Sequence, residues 1–127
     1  MASTTTAEVN KALVSNVMTA VFIRRDFGSV ANHFSPNYKQ HNPAIPNGPD
    51  SIPLMLKALR PTFRYEPGMI AAEGDLVMIH GRYTGWAEKP LVAVDIFRVV
   101  DGTLVEHWDV MQEEVPASAT KSGNPMF

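Results

Sequence analysis

The chain has 127 residues, of which 45% are hydrophobic and 19% charged, with a formal net charge of −2 and no cysteine. That length supports one globular domain with a real core. The charge balance has no Lys/Arg run and so offers nucleic acid no electrostatic footprint, while the lack of cysteine excludes disulfides, thiolate chemistry and Cys-ligated zinc.

Met1 to Thr6 carry neither a basic region nor an apolar signal core. No apolar run approaches membrane-spanning length, so a soluble, cytosolic protein is expected. Thr5-Thr6-Ala7-Glu8 reads as a capping box. Val9, Leu13, Val17, Met18, Val21 and Phe22 follow at helical spacing, predicting one amphipathic helix that ends near Asp26-Phe27-Gly28 with Gly28 as its C-cap. The Asp-Phe-Gly triplet matches a kinase motif, but nothing else kinase-like surrounds it. Ser29 to Phe34 reads as a short second helix. Ser35 to Asp50 holds four prolines and three asparagines, which predicts an irregular loop, and long loops in compact domains tend to be functional. Ser51 is expected to cap a third helix, stopped by Pro61.

From Thr62 onward the hydrophobic period changes to two. Phe63 to Tyr65 and Met69 to Ala72 are strand-like around Pro67-Gly68, and Glu73-Gly74-Asp75 turns the chain. Leu76 to Thr84 and Leu91 to Val100 read as strands. Asp101-Gly102 is a two-residue hairpin signal, and Thr103 to Glu113 closes the sheet. The segment 114–127 is small and polar and is expected to be a loose tail. Helices first and strands afterwards predict a single α+β domain, N-terminal helices on a strongly curved antiparallel sheet, with its core over residues 7–113.

A two-residue Asp101-Gly102 loop sets a register in which Val99 faces Leu104, Phe97 faces Glu106 and Asp95 faces Trp108. One face then carries Leu91, Asp95, Phe97, Val99, Leu104, Glu106, Trp108, Val110 and Gln112, and its aromatic content places it against the helices. The other carries Val92, Val94, Ile96, Arg98, Val105, His107, Asp109 and Met111. Asp95 and Glu106 would thus be two carboxylates on a largely buried aromatic surface, the setting in which a general base or acid is made. The alternative is that Asp95 only organises the core through a hydrogen bond. His80 and Arg82 alternate away from Val77, Ile79 and Tyr83, unless a bulge near Gly81 re-aims His80. No His-x-His or HExxH spacing is present, and no metal is expected. There is likewise no nucleophile elbow, P-loop or dinucleotide fingerprint.

Tyr38-x-Gln40-His41-Asn42-Pro43, Asp95-Ile96-Phe97-Arg98, Asp101-Gly102 and Glu106-His107-Trp108-Asp109-Val110-x-Gln112 together resemble SnoaL-like polyketide cyclases, and more narrowly the predicted SnoaL-like aldol-condensation group, of the nuclear transport factor 2-like superfamily. The resemblance spans roughly residues 7–113. It implies a cone-shaped α+β fold, a pocket on the concave sheet face, a homodimer and no cofactor. It also implies a proton-abstracting acid near the last strand, which falls near Asp109 or Gln112, and a glutamine cannot be a base.

The expected function is cofactor-independent acid–base chemistry on a small, mostly apolar carbonyl compound: aldol cyclisation, isomerisation or hydrolysis. Asp95, His41, His80 and Glu106 are the candidate catalytic groups, with Asp109 and His107 as alternative acid or base. Tyr38, Asn42, Phe97, Trp108 and Gln112 are the candidate substrate contacts. His41 is expected to point inward, toward a polar group such as Asp95, or else to tie its loop to a backbone carbonyl. The competing expectation is a non-catalytic binding or dimerisation module on the same fold. The apolar face carrying Val92, Val94, Ile96, Val105 and Met111 predicts a homodimer.

Overall fold

The structure, a computed structural model, describes residues 5–127; the reading of Met1 to Thr4 as free of a signal core falls outside them. Thr5 caps the first helix as expected: its side chain accepts from the Glu8 backbone N–H while Glu8 reaches back to the Thr5 N–H. Helix α1 (Thr6–Met18) runs on through a π-helical turn, Thr19–Ile23. Its inner face is Asn10, Val14, Val17, Met18 and Val21, while Val9 points to solvent. The helix is ended by Arg25 rather than Gly28. Arg25 takes a left-handed φ of 56°, and its guanidinium is held by the Leu56 carbonyl and the Phe63 ring. Gly28 instead opens α2 (Gly28–His33).

The proline-rich stretch corrects the sequence reading. Phe34–Gln40 forms strand β1 at one edge of the sheet, where Pro36 is tolerated because an edge strand need not donate on both sides. Only residues 41–50 are irregular. Helix α3 (Ser51–Ala58) follows, with Ser51 as its first residue and no side-chain capping hydrogen bond; the Ser51 hydroxyl is buried without a partner among the described residues. Strands β2 (Arg64–Glu73), β3 (Leu76–Thr84), β4 (Leu91–Val100) and β5 (Thr103–Glu113) complete the fold. Pro67-Gly68 does not divide β2 but makes an irregularity within it, between Pro67 and Ile70. The sheet order is β1-β5-β4-β3-β2, with only the β1–β5 pair parallel. The helices pack on one face of this curved sheet around a core that includes Val14, Val17, Val21, Val77, Ile79, Tyr83, Phe97 and Leu104. Each such side chain contributes on the order of 1.5–3 kcal/mol by leaving water. Among the described residues no helix is long and apolar enough to cross a membrane.

The Asp101-Gly102 turn forms as predicted, with φ of 49° and 75° at its two residues. Val100 pairs with Thr103 and Val99 with Leu104. The register then slips by one: Arg98 pairs with Glu106, Phe97 with His107 and Asp95 with Asp109. Val105 is the extra residue of a β-bulge, and every β5 side chain beyond it is exchanged between faces. His107 and Asp109 thereby join Asp95 and Phe97 on the helix side. Glu106, Trp108, Val110 and Gln112, expected there, lie on the outer side. In place of a loose tail, the chain after β5 makes a short turn at Ala117–Ala119 and lays Phe127 against His80 and Arg82 on that outer face.

Candidate active site

The bulge gathers one polar cluster inside an apolar cavity of about 40 Å³. Phe22, Phe34, Tyr38, Ile45, Phe97 and Met111 are among the apolar residues of its wall, and Gln40, Asp95, His107 and Asp109 are its polar groups. That volume is small for a carbonyl compound, and Met18 and Met55 are the unbranched, adaptable side chains of its wall.

Asp95 lies at the centre and is 3% exposed. Its Oδ1 is 2.8 Å from His107 Nε2, and its Oδ2 accepts the Tyr83 hydroxyl at 2.7 Å. His107 Nδ1 is 2.6 Å from Gln40 Oε1. Asp109 Oδ2 accepts from Asn42 Nδ2 at 2.8 Å and lies 3.8 Å from His107 Nε2. The other Asp109 oxygen makes no hydrogen bond among the described residues. Asp95, His107 and Asp109 bring their polar atoms within 4.8 Å of one another. The 2.8 Å Asp95–His107 contact has the length of a hydrogen bond with a shared proton.

Of the expected site residues, Asp95, Tyr38, Asn42 and Phe97 are in or beside this cavity, together with the alternatives His107 and Asp109. His41, Glu106 and Trp108 form a separate outer cluster. His41 stacks on Trp108 at 4.7 Å and contacts Glu106 at 2.7 Å, so its expected partner Asp95 is on the far side of the sheet. Arg98 bridges Glu106 and Asp75. The His41 hydrogen bond, and after it that of Arg98, hold the Glu106 carboxyl below the usual range. His80 faces outward against Phe127, and no bulge at Gly81 turns it, because β3 pairs with β4 in unbroken register. Gln112 borders a shallow outer groove with His80 and Val94.

The sequence reading passed over Gln40 and Tyr83 as site residues. Gln40 stood inside the quoted Tyr38–Pro43 motif. Tyr83 could have been found from its own strand alternation, which put it on the Val77–Ile79 face.

Burial, and after it the charge on Asp95, raises the Tyr83 hydroxyl well above its ordinary value of 10. Burial followed by Asp95 does the same for Tyr38 and for Tyr65. These are all the tyrosines of the chain. Since the folded values lie above the unfolded one, the stability they contribute is complete below pH 10 and is lost as pH rises through the folded values. A spectrophotometric titration is expected to show no phenolate absorbance in the folded protein at pH 10, then all of it together with the loss of helical circular dichroism. Phenolate signal from still-folded protein at pH 10 would contradict this burial.

Residues 14–107 match the family described as the SnoaL-like domain. No curated protein matches the chain. Among solved structures, a proposed ketosteroid isomerase of Kribbella flavida superposes with a TM-score of 0.74 at 17% identity, covering 90% of this chain and 85% of that one. A proposed polyketide cyclase of Bacillus cereus gives 0.70 at 18% identity, covering 83% and 76%. AclR, a proposed hydroxylase of Streptomyces galilaeus, gives 0.67 at 29% identity, covering 84% and 77%. With the helix-backed curved sheet of the nuclear transport factor 2-like fold and the span of that family match, the chain belongs to the SnoaL-like domain family.

Proposed function

We propose that this protein is a cofactor-independent acid–base enzyme acting on a small, mostly apolar carbonyl compound. The observation that supports it is the placement of two carboxylates and an imidazole around one apolar cavity, with one carboxylate oxygen uncommitted. Asp109 takes a proton from the carbon next to the carbonyl, and the C–H electron pair moves onto the carbonyl oxygen as an enolate. The proton held between His107 and Asp95 covers that oxygen. The enolate then takes the proton back from Asp109 at a different carbon of its conjugated system, giving an isomer, or attacks a second carbonyl of the same molecule, whose oxygen takes the Asp109 proton, giving an aldol ring. Tyr38 and Phe97 pack the apolar part of the substrate, and Asn42 orients Asp109.

The test is solvent-deuterium incorporation into β-tetralone, a small benzo-fused cyclic ketone, followed by proton NMR with the wild-type protein and Asp109→Asn. Exchange that depends on Asp109 supports the enzyme. Binding of β-tetralone, read by quenching of Trp86 fluorescence, with no exchange above buffer would select the non-catalytic binding module.

The homodimer is a separate proposal, supported by the outer sheet face. Met69 is 74% and Val110 70% exposed there, beside Val94 in adjoining shallow grooves. Light scattering after size exclusion at micromolar concentration is expected to give twice the 14.0 kDa chain mass, and Val110→Glu to shift it toward the monomer. A wild-type monomer overturns this proposal.

A further inference from the structure

Gln40 closes β1, and its backbone pairs with that of His107 on β5. Its side-chain oxygen is engaged twice: it accepts the Asn42 backbone N–H at 3.0 Å and lies 2.6 Å from His107 Nδ1. The backbone N–H of Asn42 can only donate, which fixes which end of the Gln40 amide faces it: the oxygen. An amide oxygen can only accept. His107 Nδ1 must therefore carry a hydrogen and donate it to Gln40.

The consequence passes through the ring. With Nδ1 protonated, neutral His107 would present a bare Nε2 to Asp95 Oδ1 at 2.8 Å, and a lone pair against a carboxylate oxygen at that distance repels. One further proton must lie between them, on Nε2 or on Oδ1. The Tyr83 hydroxyl donates to the other Asp95 oxygen and the Asp109 carboxylate lies 3.8 Å from Nε2, both of which favour the proton on nitrogen.

We propose that Gln40 is a positioning residue that locks His107 in its Nδ1–H form, so that the His107–Asp95 pair stores one proton facing the cavity. This rests on the acid–base reading for its use, but not for its geometry. The stored proton is the one that covers the substrate oxygen. When it moves to the substrate oxygen, the bare Nε2 is left facing the Asp95 carboxylate, a repulsive pair that draws the proton back, and because Gln40 holds the Nδ1 hydrogen throughout, the histidine need not exchange tautomer during turnover.

Long-range proton–nitrogen NMR correlation of the wild-type protein near neutral pH tests this directly. Both His107 ring nitrogens are expected at shifts of protonated nitrogen; a bare Nδ1 overturns the proposal. In Gln40→Leu the Nδ1 proton has no acceptor and is expected to be lost, leaving a neutral ring whose Nε2–H donates to Asp95. In Gln40→Glu, which keeps an acceptor at the same reach, the Nδ1 proton is expected to return. An unchanged His107 spectrum in folded Gln40→Leu also overturns the proposal. In the β-tetralone assay Gln40→Leu is expected to lower kcat by roughly 10–100-fold with little change in KM, the size seen when the partner orienting a functional histidine is removed. The two readings separate cleanly. An Nδ1-protonated His107 that Gln40 controls, with no Asp109-dependent exchange, keeps the tautomer lock and rejects the enzyme; exchange with a bare Nδ1 does the reverse.

Discussion

Asparagine in place of Asp109 lowers deuterium exchange into β-tetralone by about two to four orders of magnitude, the range expected for loss of a positioned general base. The substitution is nearly isosteric, and an amide oxygen can still accept the Asn42 side-chain N–H that Asp109 Oδ2 now accepts at 2.8 Å. What disappears is a carboxylate oxygen able to take a proton. The loss should therefore fall on kcat, because the apolar wall of the cavity, Tyr38 and Phe97 included, is untouched. A fall of less than threefold in correctly folded protein would remove Asp109 from the base's role.

The second large effect is on stability. Asp95→Ala is expected to destabilise the protein by about 3–5 kcal/mol in urea unfolding, because removing one member of a buried hydrogen-bonded pair strands the other. His107, 6% exposed, would lose its Nε2 partner, and Tyr83, 2% exposed, would lose its acceptor. Asp95→Asn retains the shape and one acceptor and should cost distinctly less. Near-wild-type stability for Asp95→Ala would mean that water or a repacked side chain satisfies both groups, and that Asp95 is not the organising centre of the cluster.

Much of this was legible in the residues. The capping box at Thr5, the turn residues Asp101 and Gly102 and the strict alternation of β3 are local signals, each read by a rule that needs only neighbouring positions. The interior placement of Asp95 and Phe97 followed from alternation as well. What failed was any inference carried across the Val105 bulge. A bulge adds one residue without a composition signal, and alternation counted through it assigns every later side chain to the wrong face. That count puts Glu106 and Trp108 in the interior and His107 and Asp109 outside, the reverse of the structure. The error at His41 arose differently, since its inward aim was read from its loop and not from alternation. Its natural partners, Glu106 and Trp108, went outside, and it went with them. The family resemblance implied an acid near Asp109 or Gln112, without saying which of the two faces the interior. Strand β1 was hidden for a different reason: its pairing is parallel and long-range, and Pro36 and Asn37 argue locally against it.

The same bulge bears on how such a site could arise or vanish. Substitutions exchange one side chain at a time, whereas flattening the bulge with Val105 retained would exchange the whole inner and outer complement of β5 at once. With Val105 paired opposite Arg98 in a regular ladder, Glu106 and Trp108 would face the cavity and His107 and Asp109 would be expelled, while deletion of Val105 would leave His107 opposite Phe97 and Asp109 opposite Asp95 as they are. Two different interiors are therefore encoded in one strand, separated by the presence of a single bulge. In lineages built on this fold, changes of chemistry are to be sought in the placement of strand bulges as much as in the identities of their residues.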